Sequence, residues 1–342
     1  MSPAEPGATA WTGVPLSVLD LAPVVAGSTP ARALRHALEL AAAAERLGYH
    51  RYWVAEHHNM AGVASSSPAV LLASVAGVTS RIRIGSGGVM LPNHAPLVVA
   101  EQFGMLEALN PGRVDLGIGR APGTDPVTAA ALRRHADGLS VEAFPAQLGE
   151  LLSFFDGRFP PGHPYAAITA VPALGYRPEV WLLGSSDFSA RLAGHLGLPF
   201  SFAHHFSAAN TDAALAAYRA SFQPSEALDA PRVLLGVNVV CADTTREAEF
   251  LAGSGRLSMV RLRTGRPGPL PTPEEAAEHR FTPAEADLVR GWRTSHVVGD
   301  VATVRAGLSS LVARTGADEL IVTTSVHDHE ARLHSFELLQ RG

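Results

Sequence analysis

The chain has 342 residues, of which 46% are hydrophobic and 17% charged, with a net charge of −5 and one cysteine, Cys241. The net negative charge argues against a protein that binds nucleic acids or anionic membranes. A single cysteine excludes an internal disulfide framework. The chain contains no lysine, which excludes Schiff-base chemistry, a pyridoxal-phosphate aldimine and a Walker lysine.

Short apolar runs alternate with helical segments along the whole chain. The first helix is predicted after Ser28 or Thr29 as N-cap, with Pro30 at its first position and Gly48 at its C-terminal end. Near-continuous apolar runs are typical of parallel strands that are covered on both faces. The runs span 15–21, 52–56, 82–90, 114–118, 179–184, 199–203, 232–241 and 319–324. Eight such units predict a (β/α)8 TIM barrel rather than a doubly wound sheet.

Two connections are longer than ordinary loops and predict insertions after strands 4 and 7. The first holds helical segments near 126–134 and 144–155, followed by a Pro/Gly-rich stretch. The second, 253–292, is rich in arginine, proline and acid, and is either a solvated insertion or a mobile lid over the active face. Residues 1–342 are predicted to form one domain. Without a secretory signal or a membrane-length apolar stretch, a cytoplasmic location is expected.

Polar side chains follow the second strand directly, in the sequence "YWVAEHHNM". Adjacent side chains of an extended strand point to opposite sides, so Glu56 and His58 are expected on one face and His57 on the other. An acid and two histidines at the end of a barrel strand indicate proton-transfer chemistry. The structural alternative is a core histidine bonded to backbone carbonyls.

The sequence "LLGSSDFSARLAG" places Gly184, Ser185 and Ser186 between the fifth strand and a helix. Free N–H groups and hydroxyls at a helix start favour a phosphate, although a plain serine N-cap has the same sequence. Arg120, at the end of the neighbouring fourth strand, could bind phosphate oxygens in bidentate fashion. Together these residues indicate a phosphate site.

Glycines interrupt the third strand in "GSGGVM". The sequence does not fit the dinucleotide fingerprint, because the third glycine would fall at Met90. Gly87 and Gly88 therefore indicate either a bulge or a close approach of the backbone to a flat ligand.

In combination, "RYWVAEHHN", "IGSGGVMLP", "LNPGRVDLGIGRAPGTD" and "HDHEARL" resemble the single-chain branch of the bacterial-luciferase-like flavin monooxygenases. The resemblance implies a (β/α)8 barrel that takes up FMN as FMNH2 and reacts with O2 through a flavin C4a-peroxide. It implies that His57 handles the flavin–oxygen adduct, and Glu56 is expected to orient either His57 or the end of the strand. Light emission is not implied, since Gly119 stands where the luciferase catalytic chain has a reactive cysteine.

The resemblance also implies the ligand contacts and the partners. Strand-three residues Ser86, Gly87 and Gly88 would lie against the isoalloxazine ring, often across a cis peptide, and Arg120 with Gly184, Ser185 and Ser186 would hold the phosphate. His58 and His205 are candidate residues of the substrate pocket. Because no glycine-rich stretch fits a nicotinamide fingerprint, a separate NAD(P)H:flavin reductase is expected to supply FMNH2, with which O2 would oxidise an unidentified small molecule. A homodimer would form on the small-residue faces of the helices after strands two and three.

Three alternatives remain open from the sequence. An F420-dependent oxidoreductase could use the same fold, although its larger anionic tail would need more basic groups. A flavin-binding protein without catalysis is the second alternative. The third is a metal-dependent hydrolase with ligands from His204, His205, His327 and His329, and it is disfavoured because the His-x-His pair follows strand eight and no lysine can be carboxylated. No metal is expected.

Overall fold

Nine β-strands and thirteen α-helices occupy the part of the chain that the computed structural model describes, residues 13–133 and 143–340. The strands are β1 (Leu16–Asp20), β2 (Arg51–Val54), β3 (Arg83–Met90), β4 (Val114–Gly119), β5 (Glu179–Gly184), β6 (Phe200–Phe202), β7 (Val233–Cys241), β8 (His296–Gly299) and β9 (Glu319–Thr323). The helices are α1 (Pro30–Leu47), α2 (Pro68–Val78), α3 (Pro96–Leu109), α4 (Pro126–Arg133), α5 (Phe144–Asp156), α6 (Asp187–His195), α7 (His204–Ser207), α8 (Thr211–Ser221), α9 (Thr245–Arg263), α10 (Pro273–Glu278), α11 (Pro283–Arg293), α12 (Val301–Thr315) and α13 (His329–Gln340).

Eight of the strands close into a parallel barrel. β1 to β7 pair in chain order, β9 pairs with β7, and β1 pairs with β9 to complete the ring. The predicted (β/α)8 TIM barrel is therefore confirmed. The helix ends are also as predicted for α1, where Thr29 caps the N-terminus and Gly48 ends the helix at φ +83°. The last residue of the predicted helix 126–134 lies outside the described residues.

β8 was not predicted from the sequence. It lies within the long connection after β7 and pairs with the second half of that strand, from Asn238 to Cys241. The first half of β7 pairs with β9 instead, so β8 extends the sheet beside the barrel. The rest of this connection forms the end of α9, then α10 and α11, so 253–292 is largely helical.

The barrel interior is filled by apolar side chains above a buried ion network. Trp53 and Trp181 meet edge to face with ring centroids 5.6 Å apart. Below them Arg51 is fully buried, 2.8 Å from an oxygen of Asp115 and 3.0 Å from one of Glu319. This network closes the N-terminal end of the barrel, which leaves the C-terminal end as the open one.

Among residues 13–133 and 143–340, no helix combines the length and the apolar character that crossing a membrane would require.

Candidate active site

A cavity of about 350 Å³ opens at the C-terminal ends of the barrel strands. Its size falls at the lower end of the range for small-molecule and cofactor sites. Trp53, Leu183 and Phe202 supply much of its apolar surface. Seven residues predicted from the sequence line it, namely His57, Gly87, Arg120, Gly184, Ser185, Ser186 and His205.

One end of this cavity carries a cation and a helix N-terminus. The Arg120 guanidinium lies 4.3 Å from the centroid of the Phe188 ring, and within the described residues it has no carboxylate partner. Ser186 is the N-cap of α6 but makes no capping hydrogen bond with its side chain. Within the same residues, the Ser185 and Ser186 hydroxyls have no hydrogen-bond partner. Unused N–H groups, hydroxyls and a guanidinium together form a suitable phosphate site.

The glycine pair of β3 supplies a bare stretch of backbone, and Gly87 lines the same cavity. The Gly87–Gly88 peptide bond is cis, as the family resemblance implies. A Cβ at Gly87 would lie 2.7 Å from Cδ1 of Leu19, and one at Gly88 would lie 2.8 Å from the Gly117 carbonyl oxygen. The backbone contact leaves no room for a side chain at Gly88, a methyl group at Gly87 would have to displace the Leu19 side chain, and the bare backbone at Gly87 lets a flat ring approach. Ser86 is buried, and its hydroxyl donates to the Gly117 carbonyl over 2.9 Å.

His57 brings a neutral imidazole to the cavity. Its backbone N–H donates to the Ser65 carbonyl over 3.0 Å, which fixes the chain at the end of β2. Burial lowers the pKa of His57 below its ordinary value, so the ring is uncharged near pH 7. Its Nδ1 atom is buried and has no hydrogen-bond partner in the described part of the chain. A neutral imidazole in this position can accept or hold a proton from a bound molecule.

Glu56 and His58 lie on the opposite side of the strand end from His57, as the strand alternation predicts. The buried carboxylate of Glu56 accepts from His58 Nε2 and His94 Nε2, each over 2.9 Å, from the Met90 N–H over 3.0 Å and from the Asn93 amide over 3.2 Å. Burial by itself would raise the pKa of Glu56, but these hydrogen bonds outweigh it and hold the pKa below its ordinary range. Glu56 therefore ties the end of β2 to the loop after β3, and His58 is held on that carboxylate.

The hydrogen bonds from His94 and Asn93 to the Glu56 carboxylate were not predicted from the sequence. Both residues lie in "LPNHAP", the short connection between β3 and α3, where polar residues interrupt an apolar stretch. That interruption was the available signal, but nothing local indicates that the two side chains converge on Glu56.

The histidines considered as metal ligands have other partners. His205 lines the cavity, and burial lowers its pKa to about 4. Three others contact protein groups through a ring nitrogen: His204 with the Thr211 hydroxyl at 2.8 Å, His327 with the Ala26 carbonyl at 3.1 Å, and His329 with Glu39 at 3.0 Å. His329 also stacks on His36, with ring centroids 3.8 Å apart. The four histidines that the metal alternative would need therefore do not converge on one site among the described residues.

A sequence profile of luciferase-like monooxygenases matches residues 14–319. The chain belongs to the luciferase-like monooxygenase family. As a member of this family it is an enzyme, a flavin-dependent oxidoreductase of the monooxygenase type.

Relatives of this luciferase-like monooxygenase match it over nearly their full length. A luciferase-like monooxygenase of Escherichia coli K12 is 49% identical over 95% of this chain and 96% of its own. The N-acetyl-S-alkylcysteine monooxygenase of Bacillus subtilis 168 is 35% identical over 95% and 96%. The crystal structure of apo-MsnO8 is 40% identical, covers 96% of both chains and superposes with a TM-score of 0.84.

Two more distant structures share the fold alone. The oxygenating constituent of 3,6-diketocamphane monooxygenase from Pseudomonas putida, in complex with FMN, is 20% identical with a TM-score of 0.71, over 96% of this chain and 97% of its own. An F420-dependent secondary alcohol dehydrogenase is 14% identical with a TM-score of 0.70, over 95% and 98%. The fold thus accommodates both FMN and the deazaflavin.

Proposed function

We propose that this enzyme takes up reduced FMN and uses O2 to oxidise a small organic substrate. The supporting observation is a single cavity that joins Arg120 and the free N-terminus of α6 to the bare Gly87 backbone and the His57 imidazole. Together these groups suit a ligand that carries both a phosphate and a flat ring system. The distant P. putida structure binds FMN on the same fold.

Each residue group then has a defined task. Bound FMNH2 would supply the electrons that reduce O2. Arg120 and the two serines would hold the phosphate, which fixes the position of the ring. His57 would hold or move a proton at the reacting edge of the ring, and Glu56 would act as a positioning residue through the end of β2. The apolar walls would exclude water, which limits loss of the reducing equivalents as H2O2.

The distribution of charge favours FMN over F420. The longer anionic tail of F420 calls for several cations beyond the phosphate site. α6 itself carries Arg191, but the Nε atom of this residue lies 3.7 Å from Oδ2 of Asp187 and its side chain is 59% exposed. Arg120 therefore remains the cation that the site offers among the described residues. A flavin-storage protein would have no use for a neutral imidazole positioned like His57.

The proposal includes a separate NAD(P)H:flavin reductase, because neither glycine-rich stretch of the chain fits a nicotinamide fingerprint. It places the reaction in the cytoplasm, since the single thiol, Cys241, is free and buried. The reductase is tested by adding one to the purified protein with NADPH and FMN. Oxygen consumption above that of reductase and free flavin supports the proposal, and consumption equal to that blank contradicts it.

The proposal also includes a homodimer formed through α2 and α3. α2 has no charged residue over its whole length, and large apolar side chains stand exposed on both helices, with Val70 at 67% and Leu109 at 74%. Light scattering is expected to give a dimer for the native chain and a monomer for Val70→Glu. A native chain that is monomeric at micromolar concentration would contradict this part of the proposal.

Residues 1–342 are proposed to form one domain in which the segment 253–292 is a lid. Two backbone hydrogen bonds join this segment to the loop after β1, from Leu270 N–H to the Val24 carbonyl and from Ala26 N–H to the Leu270 carbonyl, both over 2.8 Å. A lid should be cut by trypsin within 253–292 before the barrel is cut. FMN and substrate together should slow that cleavage, and equal rates with and without them would count against a lid.

The central experiment compares flavins and one histidine variant. The native chain is expected to bind FMN saturably, one per chain, and to bind F420 at least tenfold more weakly. With a reductase, NADPH and a substrate, His57→Ala should bind FMN within about threefold of the native Kd but release a larger fraction of the consumed O2 as H2O2. His50→Ala, an exposed position before β2, is the matched control. No association with FMN would refute the proposal, and unchanged coupling in His57→Ala would remove His57 from the mechanism.

A further inference from the structure

A second cavity, of about 260 Å³, lies beside the first. Leu21 and His205 line both cavities, so the two share a wall. The barrel strands β7 and β9 contribute Asn238 and Thr323 to its base, and α9 contributes Met259 to its cover. A molecule in the second cavity would therefore lie next to a flavin ring in the first.

Three loops meet over part of this second cavity. The Leu270 N–H donates to the Val24 carbonyl over 2.8 Å, and the Val24 N–H donates to the Gly62 carbonyl over 3.0 Å. Gly62 and Gly268 approach so closely that a Cβ at Gly62 would lie 2.4 Å from the Gly268 carbonyl oxygen. The backbone hydrogen bonds of these loops are satisfied among themselves, which leaves a sheltered space for an apolar ligand.

No free charge faces the second cavity from the described residues. Arg332 lines it, but this guanidinium is 3% exposed and bonds to Asp20 over 2.7 Å and to the Thr324 carbonyl over 3.2 Å. The Asp20 carboxylate also accepts from the Tyr52 hydroxyl over 2.5 Å. A charged ligand would lose its hydration without meeting an available counter-charge, so the cavity selects against anions and cations alike.

His296 supplies a hydrogen-bond acceptor in this space. Its Nδ1 lies 2.6 Å from the Trp292 carbonyl oxygen, which only accepts, and 2.9 Å from the Ser295 hydroxyl, which donates to that same carbonyl over 3.0 Å. Nδ1 therefore carries the proton. The ring also stacks on the Trp292 indole with centroids 3.4 Å apart, which fixes its orientation. Burial lowers the pKa of His296 to about 3, so Nε2 keeps its lone pair at neutral pH. Within the part of the chain described, Nε2 has no hydrogen-bond partner.

We propose that the second cavity is the substrate site, and that it takes a small neutral molecule whose hydroxyl or N–H group donates to His296 Nε2. The apolar body of the molecule packs against Met259 and Leu262, and its reacting end meets the flavin cavity beside His205. This assignment rests on the proposed function, because it needs a flavin in the neighbouring cavity to give binding a catalytic meaning.

Three probes of similar shape test the proposal by calorimetric titration of the purified chain. 4-Propylphenol carries a neutral donor, 4-propylanisole lacks the donor, and 4-propylbenzoate is an anion. The phenol should bind about five- to tenfold more tightly than the anisole, which is the value of one hydrogen bond to a neutral acceptor. The benzoate should bind at least tenfold more weakly than the phenol. Equal affinity of phenol and anisole, or tighter binding of the benzoate, would overturn the proposal.

Variants locate the binding. His296→Leu should abolish the preference for phenol over anisole, whereas His279→Leu, the same change elsewhere in the connection between β7 and β9 and away from the cavity, should keep it. Leu262→Trp fills the cavity from a position that is 49% exposed, and should weaken phenol binding at least tenfold. Preserved phenol binding in Leu262→Trp, or a phenol preference that survives in His296→Leu, would refute the assignment.

The same variants separate this proposal from the proposed function. FMN titration of Leu262→Trp should give the native Kd, because Leu262 does not line the flavin cavity. Competition between FMN and the phenol would place the probe in the flavin cavity and overturn the substrate-site assignment alone. Failure of FMN to bind the native chain would overturn the proposed function, whatever the phenol does.

Discussion

Removing the Arg120 side chain should weaken FMN and spare riboflavin. The two ligands differ only in the phosphate, so the ratio of their dissociation constants isolates the contribution of the phosphate site. In Arg120→Ala the flavin ring would still meet Gly87 and His57, while the phosphate would keep only the two serines and the N-terminus of α6.

The magnitude follows from what Arg120 does in the structure. It has no carboxylate partner in the described residues, so its removal leaves no buried charge unpaired. Loss of its contact with Phe188 costs about 0.5–1 kcal/mol of folding stability, a value typical of exposed cation–π pairs. A hydrogen bond between charged groups contributes about 1.5–3 kcal/mol, so FMN affinity should fall about 10- to 150-fold. Riboflavin affinity should stay within about twofold.

The assay is flavin fluorescence quenching with both ligands on three variants. Arg191→Ala is the matched control, since it removes an arginine from α6 that pairs with Asp187 and does not line the cavity. Arg120→Lys keeps the charge but loses the planar fork, and should fall between the native chain and Arg120→Ala. If Arg120→Ala weakened FMN and riboflavin equally, or neither, the phosphate assignment would be wrong.

Three further predictions concern the supports of the site. Glu56→Gln should lower the free energy of unfolding by about 1–3 kcal/mol in urea titrations, because a buried anionic acceptor of four hydrogen bonds is lost. An unchanged midpoint of urea unfolding would count against the anchoring role of Glu56. Gly62→Ala should speed tryptic cleavage after Arg263, at the start of the same loop, because the new methyl group displaces the Gly268 carbonyl. A native cleavage rate would show that the cover tolerates the methyl group. The pKa of His205 is about 4 in the folded chain and about 6.5 in the unfolded chain. Its contribution to stability is therefore full above pH 6.5 and is lost as the pH falls towards 4. Lowering the pH from 7 to 5 should reduce the free energy of unfolding by about 2 kcal/mol through His205. His205→Gln should lose correspondingly less in parallel urea titrations at the two pH values, and an equal loss would assign the pH effect to other groups.

Much of the barrel could be predicted because its signals are local. Parallel strands covered on both faces need continuous apolar runs, and all eight barrel strands lie at the predicted places. Helix ends depend on a cap and a left-handed residue, which explains why Thr29 and Gly48 could be read from the sequence. β8 escaped prediction because it pairs with the half of β7 that β9 leaves free, and no local pattern indicates that pairing.

The sequence alone determined the barrel, the order of its strands and the polar residues that follow each strand, because those patterns repeat over a few residues. Only the tertiary structure decided which of these residues face a cavity and which bond to other side chains. It turned His57 into the cavity and Glu56 towards His94. It left Arg120 without a carboxylate partner among the described residues. It also set His296 beside a second cavity. Side-chain contacts and cavities depend on segments that lie far apart in the chain. The distances between those segments are fixed only when the barrel closes.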